Sequence, residues 1–166
     1  KDHVGEIIST GVDYIVVSID SDQAEEHDDV RQVPELYNKA VEGIEELKSL
    51  RQGEKPFIKT TTVVSNQNIH KVGEILSHLE KIADETSIQP VVGEYADHSH
   101  SRSEGQLGKF FFSDHAETGV KTKFDELFRK KPGFNTTYFK LIAEYWFHPD
   151  KLVERIRCWS PFLRLQ

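Results

Sequence analysis

The sequence predicts an α/β fold, with parallel strands forming a sheet or a barrel. Runs rich in β-branched residues recur at 14–19, 57–64 and 87–92, and amphipathic helical stripes lie between them. Strands that alternate with helical crossovers pair in parallel. In addition, the first run, "YIVVSI", is apolar at nearly every position, the pattern of a strand covered on both faces.

Taken in order, the chain opens in a helix tail, "KDHVGEIIST", and enters the first strand at 14–19. The apolar pattern stops at "SID", and an acidic loop containing one arginine follows. Over 34–50, Tyr37, Ala40, Val41, Ile44 and Leu47 form one helical stripe, with Pro34 near the first turn. "FIKTTTVV" (57–64) is the second strand. Over 68–84 a second stripe runs through Ile69, Val72, Leu76, Leu79, Ile82 and Ala83, with Asn68 as its N-cap. "SIQPVV" (87–92) is the third strand, and Pro90, lacking a ladder donor, keeps it short or interrupted. After 93 a polar stretch, "GEYADHSHSRSEGQLGK", leads into helix-like pieces at 124–130, 136–147 and 149–157. In the second of these, Tyr138, Leu141, Ile142, Tyr145 and Trp146 share a face. We therefore expect two parts, 1–93 and a mostly helical tail over 94–166.

The chain has 166 residues and a formal charge of −7, from 21 basic and 28 acidic side chains. That balance argues against nucleic-acid binding, which needs a basic footprint. No apolar run approaches the about 20 residues of a membrane span, and no stretch has the form of a signal peptide. A single cysteine, Cys158, excludes a disulfide framework and points to the cytoplasm. The chain starts inside a helix and contains no Met, which leads us to expect a piece of a longer protein.

In parallel α/β folds, ligands bind beyond the carboxyl ends of the strands. Here those ends are "SID" (18–20), "VSNQN" (64–68) and "QPVVGE" (89–94), all polar or small. By strand alternation Ser18 and Asp20 share one face, while Ile15, Val17 and Ile19 face the helices. Asp20 and Asn66 line a cleft or cap the loops that follow. His98 and His100 beside Asp97 lack a third ligand at a metal spacing and read as a solvated loop. His27, within "EEHDD", also reads as solvated, and a lone Cys158 as a buried bystander. There is no glycine-rich phosphate loop.

Four segments in order, "GVDYIVVSIDS", "EEHDDVR" with "YNKAVEGIEELK", "IKTTTVVSNQNIHKVGEIL" and "SIQPV", resemble the later half of a radical S-adenosylmethionine enzyme. The resemblance implies the C-terminal half of a (β/α)6 partial TIM-like barrel, with residues 14–19, 57–64 and 87–92 as its fourth to sixth strands. "RIRCWSPFLRLQ" resembles the lead-in to a SPASM or twitch extension, in which Cys158 would help ligate an auxiliary iron–sulfur cluster. The family's CxxxCxxC loop for the catalytic 4Fe–4S cluster is not in this sequence, nor are its glycine-rich second strand motif and third strand.

The resemblance further implies site roles. Ser18 lies against the ribose or methionine part of S-adenosylmethionine, with Asp20 beside it. Arg31 pairs with the methionyl carboxylate, for which its planar fork is suited; otherwise it forms a surface ion pair with Asp28 or Asp29. Asn66 and Asn68 come from the turn after the second strand, and the adenine meets the chain near Gln89. The implied reaction is reductive cleavage of S-adenosylmethionine to a 5′-deoxyadenosyl radical and hydrogen abstraction from a substrate the sequence does not specify. Without the cluster loop this chain is expected to be inactive alone. Its open sheet edge would meet a missing N-terminal half-barrel or a second copy. The alternative is a non-catalytic α/β binding module using the strand-end cleft for another small ligand.

Overall fold

The computed structural model describes residues 2–91, 110–134, 136–148 and 151. The chain divides into two compact units, Lys1–Phe111 and Phe112–Gln166. The first contains α1 (Asp2–Ser9), β1 (Tyr14–Ser18), α2 (Ala24–Arg31), α3 (Leu36–Leu50), β2 (Phe57–Val64), α4 (Val72–Leu79) and β3 (Glu85–Pro90). The second contains α5 (Glu117–Lys130) and α6 (Thr137–Phe147). The fold is α/β, and the three strands form one parallel sheet in the order β1-β2-β3. No helix among the described residues is long and apolar enough to cross a membrane.

The register pairs Tyr14 with Phe57 and Ser18 with Thr61, then Lys59 with Glu85 and Val64 with Pro90. Alternation sends Ile15 and Val17 towards the helices, where they pack on a core of Ile19, Tyr37, Ile44, Leu47, Ile58, Ile75 and Leu79. Each of these aliphatic side chains contributes about 1.5–3 kcal/mol when fully buried. The other face is open among the described residues: Tyr14 is 62% and Val16 58% exposed. It carries the Tyr14–Phe57 ring contact, the Lys59–Glu85 ion pair and the Thr61–Ser87 hydroxyl pair. The apolar character of both faces of 14–19 is therefore matched by cover on one face only.

Four expectations need correction. The acidic stretch after β1 is a helix, not a loop. α2 places Glu25 and Glu26 in its first turn and Arg31 in its last, the arrangement that complements a helix dipole. It ends on Gln32 in the left-handed region (φ 55°), whose N–H returns to the carbonyl of Asp28. His27, read as solvated, is 0% exposed and fixes this helix to the core. Asn68 makes no capping bond; Ile69–Lys71 is a 3-10 turn, and α4 starts at Val72. β3 begins two residues earlier than expected and ends at Pro90, on a sheet edge where a missing N–H is tolerated.

The amino end of the sheet is locked around Asp84, which Lys48 Nζ approaches to 3.8 Å and Arg51 binds directly. Arg51, just past α3, donates through Nη1 to Oδ2 of Asp84 and through Nη2 to Oδ1 at 2.9 Å. Nη1 also reaches the carbonyl of Pro56 at 3.1 Å, and Asp84 Oδ2 accepts the N–H of Ile58 at 2.8 Å. The pair thus ties α3, the start of β2 and the turn before β3. The Arg51 hydrogen bond, helped by the Ile58 N–H, holds the Asp84 carboxyl below its usual range against the opposing effect of burial.

In the second unit, Val120, Phe124 and Leu127 of α5 and Ile142 and Trp146 of α6 are buried, with the Phe124 and Trp146 rings 5.6 Å apart. Thr136 caps α6 by accepting the N–H of Phe139 at 3.4 Å. Of the expected α6 stripe, Tyr138 is 56% exposed, so the buried face is narrower than predicted. Most of the helix expected over 149–157 lies outside the described residues, as do His98, His100 and Cys158.

Candidate functional site

A pocket of about 490 Å³ opens beyond the carboxyl ends of β1 and β2, within the first unit. Asp20, Val63 and Asn68 come from the strand ends and the turn, Asp29 and Arg31 from α2, and Val91 and Phe110 complete an apolar side.

Asp20 organises it. The residue follows β1, is 4% exposed, and uses every polar group it has. Its Oδ1 accepts the N–H of Val63 at 2.8 Å, and its Oδ2 accepts Nε–H of Arg31 at 2.7 Å. Its own N–H donates to Nδ1 of His27 at 3.2 Å, and its carbonyl accepts Nδ2–H of Asn68 at 3.0 Å. Asn68 staples the strand ends together: Nδ2 also reaches the Val63 carbonyl at 2.9 Å, and Oδ1 accepts the N–H of Ser65 at 2.9 Å. Buried polar groups are normally paired in this way, since a lone one loses its hydration without return.

Arg31 departs from that rule. Its side chain is 33% exposed and its Nε–H is fixed by Asp20. Its Nη2 is buried and has no hydrogen-bond partner among the described residues. A buried, unpaired donor costs about 1–3 kcal/mol. An oxyanion entering the pocket would relieve that cost. On the same lining stands Asp29, an exposed residue whose carboxylate has no hydrogen-bond or ion-pair partner among the described residues.

One wall is cross-braced. Lys71 Nζ bonds Glu26 and lies 3.1 Å from Ser21 Oγ and 3.5 Å from Asp22 Oδ1. The Lys71 hydrogen bond, then that of Ser21, holds the Glu26 carboxyl below its usual range. Glu26 therefore stays ionised and is committed to Lys71, which leaves Asp29 as the uncommitted lining carboxylate.

The structure brings Asp20 and Arg31 together at this pocket. Arg31 pairs with Asp20, not with Asp28 or Asp29. Ser18 is exposed on the open face and is not among the lining residues. Asn66 and Gln89 are exposed and also outside the lining; the Asn66 N–H donates to the Phe110 carbonyl at 3.0 Å. Sequence reasoning missed His27 and Lys71. The signal available for Lys71 was its distance of a few residues past a strand end; for His27 there was none, because its partners lie on other elements. Among the described residues no group of three or more His, Cys, Asp or Glu is placed to hold a metal ion. No family model, curated protein or solved structure matches the chain.

Proposed function

We propose that the strand-end pocket binds the methionine end of S-adenosylmethionine, and that the chain contributes this wall to a radical S-adenosylmethionine-type partial barrel. The observation that carries the reading is the Arg31 guanidinium, oriented by Asp20 through Nε and left with a buried, unpaired Nη2 beside the pocket. A carboxylate meets that unpaired edge in a charge-assisted bond. Asp29 belongs to the same lining and would face the ammonium group of the same amino acid. Val63, Val91 and Phe110 give the nucleoside portion an apolar surface and exclude water from it. Arg31 and Asp29 thus fit a zwitterion, and the pocket is large enough for part of a nucleoside.

Bound S-adenosylmethionine supplies hydrogen-abstraction chemistry after one-electron reduction in that family. The residues described here bind and orient it. Among the described residues no group of three or more His, Cys, Asp or Glu is placed to hold a 4Fe–4S cluster. Support for the partial-barrel reading comes from the edge of β1, which no strand among the described residues pairs, and from the exposed Tyr14 and Val16 on the face that a barrel would enclose. The same surface is where an N-terminal half-barrel or a second copy would pack.

The test is calorimetric titration of S-adenosylmethionine into the chain and into Arg31→Ala, with Lys39→Ala on the outer surface of α3 as control. Loss of the Arg31 contact, worth about 1.5–3 kcal/mol, is expected to weaken binding roughly ten- to a hundredfold. Equal affinities for the two variants contradict the reading. A second reading, a non-catalytic module for another small amino acid, draws on the same Arg31 and Asp29. It gains if free methionine binds as tightly as the nucleoside.

A further inference from the structure

His27 is 0% exposed, yet it is not used by the proposed binding contacts. Its Nδ1 accepts the Asp20 N–H at 3.2 Å, so its proton sits on Nε2, which is buried and has no hydrogen-bond partner among the described residues. An apolar residue would fill the same space without the orphaned Nε2–H, but it would leave the Asp20 N–H unpaired. The imidazole therefore has one visible task, to hold the backbone of the residue that orients Arg31.

That task depends on the imidazole being neutral. An imidazolium is a donor at both nitrogens, so two N–H groups would then face each other between His27 and Asp20. The new Nδ1–H would also compete with Arg31 for the Asp20 carboxylate. Asp20 at the end of β1 and Asp28 on α2 favour the imidazolium, whereas Arg31 on α2 opposes it. On α3, Tyr37 stacks edge-on at 6.0 Å, with its hydroxyl 2.8 Å from Nε2 of His78 on α4 and 3.5 Å from the carbonyl of Asp22. Burial keeps that phenol neutral, with the Asp22 charge acting in the same direction. Burial outweighs the carboxylates at His27 and keeps its pKa below the ordinary value.

We propose that His27 is the positioning residue of the strand-end pocket, and that its protonation releases the Asp20–Arg31 geometry and with it the bound carboxylate. This rests on the S-adenosylmethionine reading only for the choice of ligand. The experiment follows the ¹⁵N-labelled full chain by NMR from about pH 8 to about pH 5, where histidine titrates and carboxylates do not. It reads the His27 ring nitrogens, the Asp20 amide and the Arg31 Nε–H. S-adenosylmethionine affinity is measured in parallel below about pH 7, where the ligand's ammonium stays protonated, in the unaltered chain and in His27→Asn, whose amide oxygen can accept the Asp20 N–H without titrating.

The expected result is an Nε2–H tautomer at high pH, with Asp20 and Arg31 signals that move at the His27 midpoint. Affinity falls about tenfold over the same range and is flat in His27→Asn. Asp20 and Arg31 signals that ignore the His27 titration overturn the proposal. So does a His27 that stays neutral throughout, or a pH dependence of affinity that survives in His27→Asn. The NMR readout needs no ligand. Coupled signals without any S-adenosylmethionine binding support the role of His27 and count against the cofactor reading alone.

Discussion

Two arginine–aspartate pairs stand at opposite ends of the sheet and differ in how fully they are satisfied. At the amino end, both terminal nitrogens of Arg51 engage Asp84, and the aspartate takes the Ile58 N–H as well. At the carboxyl end, Asp20 is saturated but among the described residues Arg31 is held through Nε alone, with Nη2 buried and unpaired. Both carboxylates are shielded, Asp84 15% and Asp20 3% exposed, whereas Arg51 is 14% and Arg31 33% exposed. The contrast separates two uses of one chemistry. A guanidinium whose two terminal nitrogens are both engaged has little affinity left for a ligand and serves the fold. One that is oriented but incompletely paired is ready for an oxyanion.

The comparison breaks most visibly at the amino end. Arg51→Ala leaves Asp84 with Lys48, 3.8 Å away, as its remaining cation, and we expect it to lower unfolding free energy by up to about 3 kcal/mol in urea titrations while leaving ligand affinity unchanged. Arg31→Ala is expected to lower S-adenosylmethionine affinity ten- to hundredfold, roughly 1.5–3 kcal/mol, and to destabilise the fold as well, because Asp20, 3% exposed, loses its cation. Asn68→Ala should affect both measurements, costing about 2 kcal/mol in unpaired backbone groups and loosening the strand ends that present Asp20.

Acid sharpens the contrast further. The Asp84 pKa is depressed in the folded state, chiefly by Arg51. The unfolded chain therefore binds more protons at this residue as pH falls. Its stabilising contribution is complete above the unfolded carboxylate pKa and is lost as pH drops through the folded value. The slope of stability against pH in that acid window should be shallower in Asp84→Asn than in the unaltered chain. The smallest effect is expected for Lys39→Ala, whose ion pair with Glu35 is solvent-exposed at both ends; its stability and affinity should match the parent within error.

The alternation of strands and helices was legible because local periodicity and burial agree: Ile15, Val17 and Ile19 on one face of β1, and Ile44 and Leu47 on one stripe of α3. α2 was not legible. "AEEHDDVR" has no apolar stripe and no side-chain N-cap, and its buried anchor is a histidine whose contacts are tertiary. Asn68 was read from the common local role of its residue type, whereas it acts across the sheet on Asp20, 48 residues away. β3 starts at Glu85 because Lys59 and Thr60 pair with Glu85 and Thr86, a register that polar residues do not announce. For the site, Asp20 and Arg31 were visible as a strand-end acid and a basic residue after it. Their mutual bond depends on α2 turning Arg31 back over the strand end.

The most direct test of the distinction between the two pairs is to titrate S-adenosylmethionine into Arg31→Ala and Arg51→Ala side by side, under conditions where both remain folded. The account predicts that affinity drops at least about tenfold in Arg31→Ala and stays at the parental value in Arg51→Ala. Equal affinities in the two variants, or a loss confined to Arg51→Ala, would contradict it.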